Sequence, residues 1–216
     1  MAHSEMPHDR FIYHFTHVNN LSQILKDGVL LSDSHVQARQ KLAVEIGDLD
    51  VKNRRRSMKV MRPPGGCPAD YVPFYFAPRS PMLYVISKGS VEQYQEGQGP
   101  LIYLVSSVDR IVSERLDWVF TDGNCASGIT EYFDDLAKLE QAVDWPLMES
   151  RLWNNTAEDP DRMRRRMAEF LVHHRVPWRC FLGIATKTKK IEKEVKEILD
   201  GKSDSIYVGT RSDWYY

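Results

Sequence analysis

The aromatic and proline-rich run over residues 70–84, with the sequence DYVPFYFAPRSPMLY, limits the possible folds of this chain more than any other segment. Four aromatic residues fall within six positions, which is typical of a buried strand or of the floor of a cleft. Because prolines lack a backbone N–H, those at 73, 78 and 81 exclude a regular helix and a central sheet strand. Arg79 and Ser80 lie in a rigid turn between two of them. A packed aromatic core explains the aromatic residues, but it does not explain Arg79.

The remaining pattern predicts an α+β fold. Apolar runs rich in β-branched and aromatic residues predict strands at 11–18, 29–31, 101–105, 118–121, 168–172, 180–185 and 206–208. Helices are predicted from residue 21 to a cap at Gly28, at the start of 37–62, over 82–88, within 129–160 and over 191–199. There is no repeat, low-complexity tract or linker, so we expect one domain over residues 1–216.

Composition narrows the classes of function. Lys and Arg total 29 and Asp and Glu total 30, so the net charge of −1 creates no global attraction for nucleic acid. Any polyanion must therefore be bound by local basic patches. The first ten residues are polar and do not resemble a signal peptide, and no apolar run could cross a bilayer. Three scattered cysteines without CxxC spacing predict neither disulfides nor a zinc site. These features predict a cytoplasmic protein without a membrane partner.

A single carboxylate follows a strongly basic segment near the end of the chain. Residues 162–166 read RMRRR, and Glu169 then opens a short apolar run that predicts a strand. In a strand, Glu169 and Leu171 point to the same face. This places a carboxylate on a rigid element close to cations, where an anionic substrate can be held. The alternative is a strand-end glutamate paired with a neighbouring arginine, which is common and contributes little.

Two further polar features, the pair His14 and Thr16 and the basic segment 52–62, each allow two interpretations. His14 and Thr16 point to the same side of the first predicted strand, where they either bind a ligand or form a satisfied core pair. His14 and His17 face opposite sides and have no evident third ligand, so no metal site is predicted. The basic segment 52–62 is either a solvated helix face or a patch for phosphates and bases, since arginine dominates its centre.

The motifs that the sequence lacks and the polar residues that it contains narrow the possible reactions. The GxGxxG, P-loop and GxSxG motifs are absent from the sequence. A lone glutamate with arginines and an aromatic cleft suits cleavage of the nicotinamide–ribose bond of NAD⁺. That reaction needs a carboxylate near the ribose, cations near the pyrophosphate and aromatic groups against the nicotinamide.

Three segments in order, IYHFTHVNNL, DYVPFYFAPRSPMLY and AEFLV, together with DWYY near residue 216, resemble the DarT family of bacterial toxins. The similarity extends over nearly the whole chain and is greatest to the thymidine-modifying branch. It implies an ADP-ribosyltransferase-like fold of two packed, mostly antiparallel β-sheets with surrounding helices and NAD⁺ in the cleft between them. It also implies transfer of ADP-ribose from NAD⁺ to a base in single-stranded DNA, and a macrodomain antitoxin as partner.

The resemblance also assigns residues. Glu169 and Arg55 are expected to be catalytic, although Arg54 and Arg56 leave the register of the arginine open. The NAD⁺ site is expected to contain His14, Thr16, Asn20, Leu21, Tyr71, Tyr75 and Arg79. The DNA site is expected to contain Arg54, Arg56, Trp153, Arg162, Arg164, Arg165 and Arg166. The alternatives are an enzyme of the same fold acting on RNA or protein, a non-catalytic single-strand-binding module, or a nuclease.

Overall fold

The structure, a computed structural model, describes residues 10–39, 42–200 and 206–216. Its strands are β1 (Phe11–His17), β2 (Val29–Leu31), β3 (Tyr71–Tyr75), β4 (Leu101–Ser107), β5 (Trp118–Thr121), β6 (Tyr132–Phe133), β7 (Glu169–His173), β8 (Arg175–Pro177), β9 (Gly183–Thr186) and β10 (Tyr207–Thr210). Its helices are α1 (Leu21–Asp27), α2 (Asp33–Arg39), α3 (Leu49–Ser57), α4 (Pro81–Ser87), α5 (Val108–Ser113), α6 (Leu139–Ala142), α7 (Trp145–Glu149), α8 (Arg162–Arg166) and α9 (Lys189–Leu199). The polar segment interpreted above as lacking a signal peptide lies almost entirely outside the described residues.

Eight of these strands form one large sheet in the order β10-β9-β4-β1-β3-β7-β5-β6. All neighbouring pairs are antiparallel except β9 and β10. β2 and β8 form a second, two-stranded antiparallel sheet. Helices and sheets are therefore mixed as the α+β prediction requires. The second sheet is much smaller than the first. None of the helices in the described ranges is long and apolar enough to span a membrane.

The two faces of the large sheet differ in what they carry. Ile12, Phe74 and Phe170 point into the main core, where they meet apolar residues of α1, α5 and α9. Tyr13, Tyr75 and Glu169 stand opposite one another on β1, β3 and β7 and therefore share the other face. Because side chains alternate along a strand, the apolar pattern of β7 determines that Glu169 lies outside the main core.

β3 lies in the middle of the large sheet, so the prediction that its proline excludes a central strand is wrong. The register of β3 with β1 includes only the pair Tyr13 and Tyr75, whereas β3 pairs with β7 along its whole length. The missing N–H of Pro73 therefore costs no ladder bond toward β7. Its carbonyl, which faces β1, accepts a hydrogen bond from Nδ1 of His14 at 2.8 Å. The carbonyl of Pro73 is thus satisfied by a side chain of β1 instead of by a backbone N–H.

Two segments with predicted helices are divided in the structure. Segment 37–62, predicted to be helical at its start, contains the end of α2 and all of α3, and a loop that includes residues 42–48 lies between them. Residues 129–160 form only short helices, because Asp144 caps α7 by accepting from the N–H of Leu147 at 3.1 Å. Pro146 stands at the start of α7 and prevents a continuous helix from α6. Residues 150–161 are left as a long irregular loop beside α8.

Candidate active site

The structure brings Glu169 and Arg55 together in a buried ion pair. Nη1 of Arg55 donates to Oε2 of Glu169 at 2.8 Å and to Oε1 at 3.1 Å. The Glu169 side chain is 1% exposed and that of Arg55 is 15% exposed. The partner of Glu169 is therefore an arginine from a helix 114 positions earlier in the chain, not a neighbouring arginine of α8. Burial makes this pair strongly coupled, unlike a surface pair.

A third side chain, Cys125, completes this cluster. Its Sγ lies 2.9 Å from Nη1 of Arg55, and its backbone N–H points to Oε1 of Glu169 at 3.5 Å. Cys125 is fully buried, and burial raises the pKa of its thiol well above the ordinary value. Burial acts to lower the pKa of Arg55, but its neighbours Cys125 and Glu169 raise it overall. At neutral pH a thiol and an ion pair therefore form the cluster. Sequence reasoning missed Cys125, because nothing local marks a single cysteine in a loop.

The backbone at Glu169 is fixed by the end of β5. The N–H of Glu169 donates to Oγ1 of Thr121 at 3.0 Å, and that hydroxyl donates to the carbonyl of Gly123 at 2.7 Å. A Cβ on Gly123 would lie 2.4 Å from Nη1 and 2.9 Å from the backbone oxygen of Arg164. Only glycine fits this close approach. The turn that delivers Cys125 to Glu169 thus depends on Gly123.

Arg55 is held by a loop that Asn20 anchors. Oδ1 of Asn20 accepts from the N–H groups of Ala43 and Val44 at 3.0 and 2.9 Å. Its Nδ2 donates to the carbonyl of Val44 at 2.9 Å and to Oγ1 of Thr16 at 3.0 Å. The amide of Asn20 is thereby fully used on residues 43–44, which lead to α3 and Arg55. Asn20 and Thr16 hold this loop in place.

Tyr75 flanks Glu169 on the same sheet face. It stands directly opposite Glu169 in the register of β3 and β7, and its ring stacks on Phe15 at 6.2 Å between centroids. Burial, and then the charge of Glu169, raise the pKa of the Tyr75 hydroxyl. It is therefore an uncharged phenol that can donate a hydrogen bond beside the carboxylate.

Comparison with known proteins identifies the family. The family model described as ssDNA thymidine ADP-ribosyltransferase, DarT, matches residues 13–216. The chain belongs to the DarT family. It is 39% identical over 207 residues to a DNA ADP-ribosyl transferase of Thermus sp. strain 2.9, covering 95% of each chain. It is 24% identical over 199 residues to a Thermosipho africanus DNA ADP-ribosyl transferase–DNA ADP-ribosyl glycohydrolase fusion protein, covering 91% of this chain and 47% of that one.

Two solved structures of Thermus sp. 2.9 DarT extend this similarity to three dimensions. The complex with ADP-ribosylated ssDNA has a TM-score of 0.89 at 37% identity and covers 97% of this chain and 98% of that one. The complex with NAD⁺ has a TM-score of 0.85 at 37% identity and covers 97% and 99%. The predicted ADP-ribosyltransferase-like fold is therefore confirmed, as is the resemblance to the DarT family.

The structure does not bring all of the predicted NAD⁺-site residues to Glu169. His14 lies on the opposite face, with its ring against Phe74. Leu21 is completely buried in the main core, so its side chain offers no surface to a ligand. Tyr71 is 1% exposed and donates its hydroxyl to the carbonyl of Gly65 at 2.6 Å. The assignment of these three to NAD⁺ remains a prediction.

His17, not His14, lies on the same face as Glu169. It stands four positions after Tyr13 on β1, so its side chain has the same orientation. It is 2% exposed, packs on Tyr94 and lies 3.4 Å from the carboxylate of Glu96. The segment of residues 16–20 therefore contributes His17 to this face, two positions from Phe15. The alternation of side chains along β1 could have predicted this from the sequence.

The partly buried His14 makes stability depend on pH. Burial lowers the pKa of His14 to about 4, so it is neutral in the folded protein, whereas in the unfolded chain it takes up a proton below about pH 6.5. Stability from neutral His14 is therefore complete above that pH and is lost as pH falls toward 4. His14→Asn keeps an N–H for the Pro73 carbonyl and removes the titration. Between about pH 7.5 and about pH 5, urea unfolding should show wild type losing roughly 2 kcal/mol more than His14→Asn. Equal losses in the two proteins would contradict the assignment of a neutral His14 in the folded protein.

Among the three adjacent arginines of α3, only Arg55 reaches Glu169. Arg54 is exposed, and Arg56 pairs with Asp33 at 2.6 Å. None of the described residues of α3 is buried, so the helix is otherwise a solvated face as one of the two interpretations proposed. Of the three, the structure therefore places Arg55 against Glu169, and its catalytic role remains a prediction. Arg54 remains available to a polyanion.

Most of the α8 arginines predicted to bind DNA are used within the protein. Arg164 pairs with Asp122 at 3.0 Å and Asp161 at 2.8 Å. Arg165 pairs with Asp159 at 2.6 Å and Asp144 at 3.0 Å. Arg162 donates to the backbone carbonyls of Leu152 and Asn154 at 2.7 and 3.2 Å. Trp153 is 7% exposed and donates to the hydroxyl of Tyr216 at 2.9 Å. These contacts hold the loop of residues 150–161 against α8, and the assignment of these residues to the DNA site remains a prediction.

Proposed function

We propose that this chain transfers ADP-ribose from NAD⁺ to a thymidine base in single-stranded DNA and releases nicotinamide. The observation that carries the proposal is the buried pair of Glu169 and Arg55 on the sheet face. It occurs in a chain similar along its length to Thermus sp. 2.9 DarT, whose structures were solved in complex with NAD⁺ and with ADP-ribosylated ssDNA. Among the described residues, no three His, Cys, Asp or Glu side chains are grouped as metal ligands would be.

In the proposed reaction Glu169 has two tasks. It accepts a hydrogen bond from a hydroxyl of the nicotinamide ribose, which stabilises positive charge on the reacting carbon. It also accepts the proton from the thymine ring nitrogen, and general base catalysis of this kind contributes roughly 10²–10⁴-fold. The bond from that nitrogen to the ribose carbon forms while the bond to nicotinamide breaks. The bonding electron pair leaves with nicotinamide, and Glu169 passes the proton to solvent.

Arg55 is proposed to stabilise the negative charge that develops on the base as its proton leaves. In the structure its Nη1 contacts both oxygens of Glu169. Since Glu169 is 1% exposed, a ribose hydroxyl can reach it only if Arg55 leaves one of these oxygens. Tyr75, opposite Glu169 on β3, is proposed to donate a hydrogen bond to the bound substrate. Because the target base has to be unstacked to enter this site, single-stranded DNA is the preferred form.

The test is mass spectrometry of oligonucleotides after incubation with the protein and NAD⁺. A thymidine-containing single strand should gain one ADP-ribose with release of one nicotinamide, while a strand lacking thymidine and a duplex should stay unchanged. The rate should fall as salt rises, because the substrate backbone is a polyanion. Label on RNA or protein instead would favour the alternative substrates. Unmodified oligonucleotide with intact NAD⁺ would contradict the proposal.

We further propose that this activity is toxic and is reversed by a macrodomain antitoxin in the cytoplasm. Modified DNA bases block templating, so a cell that makes them requires an activity that removes them. The Thermosipho africanus relative, a fusion of a DNA ADP-ribosyl transferase with a DNA ADP-ribosyl glycohydrolase, supports such a pairing. We also propose that residues 1–216 act as one domain. Co-expression with a macrodomain glycohydrolase should restore growth that this chain alone arrests.

A further inference from the structure

An arginine-rich cavity of about 830 Å³ opens beside the active site. Tyr13, which lines it, lies on the sheet face that carries Tyr75 and Glu169, whereas Phe76 and Met148, which also line it, belong to the main core. Five aromatic side chains and only two carboxylates, Glu149 and Asp213, contribute to its wall. The same wall contains Arg10, Arg79, Arg151, Arg166 and Arg211. A positive surface interleaved with aromatic rings is typical of sites for nucleotides.

Three of these arginines are accounted for without a ligand. Arg10 pairs with Glu140 at 2.7 Å. Arg211 pairs with Asp213 at 3.0 Å. Arg151 is exposed at the rim, where water solvates its charge. The remaining two, Arg79 and Arg166, have no carboxylate partner among residues 10–39, 42–200 and 206–216.

Arg166 is the more deeply buried of the two, with 2% of its surface exposed. Its Nη2 donates to the carbonyl of Pro78 at 2.7 Å, and its Nη1 lies 3.7 Å from Sδ of Met148. Its Nε is buried and finds no acceptor in the described part of the chain. Arg164 and Arg165, on the same helix, are both paired with aspartates. A buried guanidinium without a counterion is costly, and an incoming anion removes that cost.

Arg79 is held near Arg166 in a fixed orientation. Its backbone has a left-handed φ of +56°, which residues other than glycine rarely adopt. Its Nη1 donates to the carbonyl of Tyr215 at 2.6 Å, and its guanidinium lies 4.2 Å from the ring centre of Tyr216. Its Nε is also buried without an acceptor. Burial lowers the pKa of Arg166 and the charge of Arg79 adds to this effect, although Tyr216 and Tyr103 oppose it.

Trp145 adds a third donor to the same cavity. Its ring packs under the guanidinium of Arg10 at 3.9 Å, while its Nε1 is buried and unpartnered within the described ranges. Three buried N–H groups without acceptors in the described part of the chain thus belong to residues that line one cavity, and two of these residues carry positive charges without a carboxylate partner. We propose that Arg79, Arg166 and Trp145 form a phosphate subsite, which binds the oxygens of a phosphodiester or pyrophosphate group.

This subsite deepens the proposed function and rests on it. Both proposed substrates carry the required group, NAD⁺ in its pyrophosphate and DNA in its backbone. Tyr13 at the cavity is two strands from Glu169, which is about 10 Å at the usual strand spacing. A bound dinucleotide or a short run of DNA spans that distance. The subsite would hold the substrate while Glu169 and Arg55 perform the transfer.

The test measures equilibrium binding of NAD⁺ alone and of a thymidine-containing single strand alone, at fixed salt. Arg166→Met removes the charge and the donors while keeping an extended apolar side chain. It should weaken binding of at least one of the two ligands about 10- to 100-fold, as loss of a charged hydrogen bond does. Arg166→Lys should recover part of the affinity. Arg179→Met is the matched control, because Arg179 is 68% exposed, pairs with Glu114, and neither of the two lines the cavity.

The two sources of phosphate give different outcomes. If the subsite binds pyrophosphate, Arg166→Met weakens the binding of NAD⁺. The slope of the logarithm of DNA affinity against the logarithm of salt concentration is then unchanged. If it binds the DNA backbone, NAD⁺ is unaffected and the slope falls by about 0.7. Trp145→Phe removes only one donor and replaces Arg166→Met in the test if that variant does not fold. It should weaken the binding of the same ligand a few-fold. Affinities within twofold of Arg179→Met for both ligands would overturn the proposal, and since binding needs no turnover, that result is independent of whether DNA is modified.

Discussion

Glu169→Gln should lower the rate of ADP-ribose transfer to single-stranded DNA by roughly 10²–10⁴-fold, because an amide cannot accept the proton that leaves the base. The substitution preserves the shape of a side chain that is 1% exposed, and an amide oxygen still accepts from Arg55. The variant should therefore fold and bind oligonucleotide with nearly wild-type affinity. Single-turnover rates measured by mass spectrometry, beside binding measurements, separate the loss of chemistry from a loss of binding.

The control for this experiment is Glu114→Gln. Glu114 also pairs with an arginine, Arg179 at 2.7 Å, but on the surface. The substitution Glu114→Gln changes the net charge by the same amount as Glu169→Gln and should leave the transfer rate within a few-fold of wild type. A Glu169→Gln enzyme with a rate similar to that of Glu114→Gln would show that another group removes the proton.

Arg55→Met should reduce the free energy of unfolding by about 3–5 kcal/mol, since it leaves the charge of Glu169 buried without a partner. The same variant should lose transfer activity, because nothing else in the cluster can stabilise charge on the base. The double variant Arg55→Met/Glu169→Gln removes the stranded charge and should recover most of the lost stability. Urea unfolding at neutral pH of wild type, both single variants and the double variant measures this coupling.

A surface pair provides the comparison. Arg179→Met breaks an ion pair whose arginine is 68% exposed, and it should reduce stability far less than Arg55→Met does. If Arg55→Met is as stable as Arg179→Met, the carboxylate of Glu169 finds compensation elsewhere. A double variant no more stable than Arg55→Met would mean that lost packing, not charge, explains the destabilisation.

Local sequence patterns were sufficient for several elements of the site. α1 ends at Gly28, which has the left-handed φ of +67° expected of a helix cap. β7 and α4 begin within one residue of their predicted positions, and the alternation of β7 correctly separates Glu169 from Phe170. Predictions failed where a partner from elsewhere in the chain changed the local preference. Pro73 sits in a central strand because a side chain on β1 pairs with its carbonyl.

The sequence by itself determined the family, the α+β class and the orientation of Glu169 on its strand, because these depend on motifs and on periodicities a few residues long. Only the tertiary structure decided that Arg55, and not Arg54 or Arg56, meets Glu169, and that Cys125 joins them. It alone also separated Arg166, buried without a carboxylate, from its paired neighbours Arg164 and Arg165. The reason is physical: these contacts join residues far apart in the chain, so they follow from strand order and packing, which no local pattern encodes.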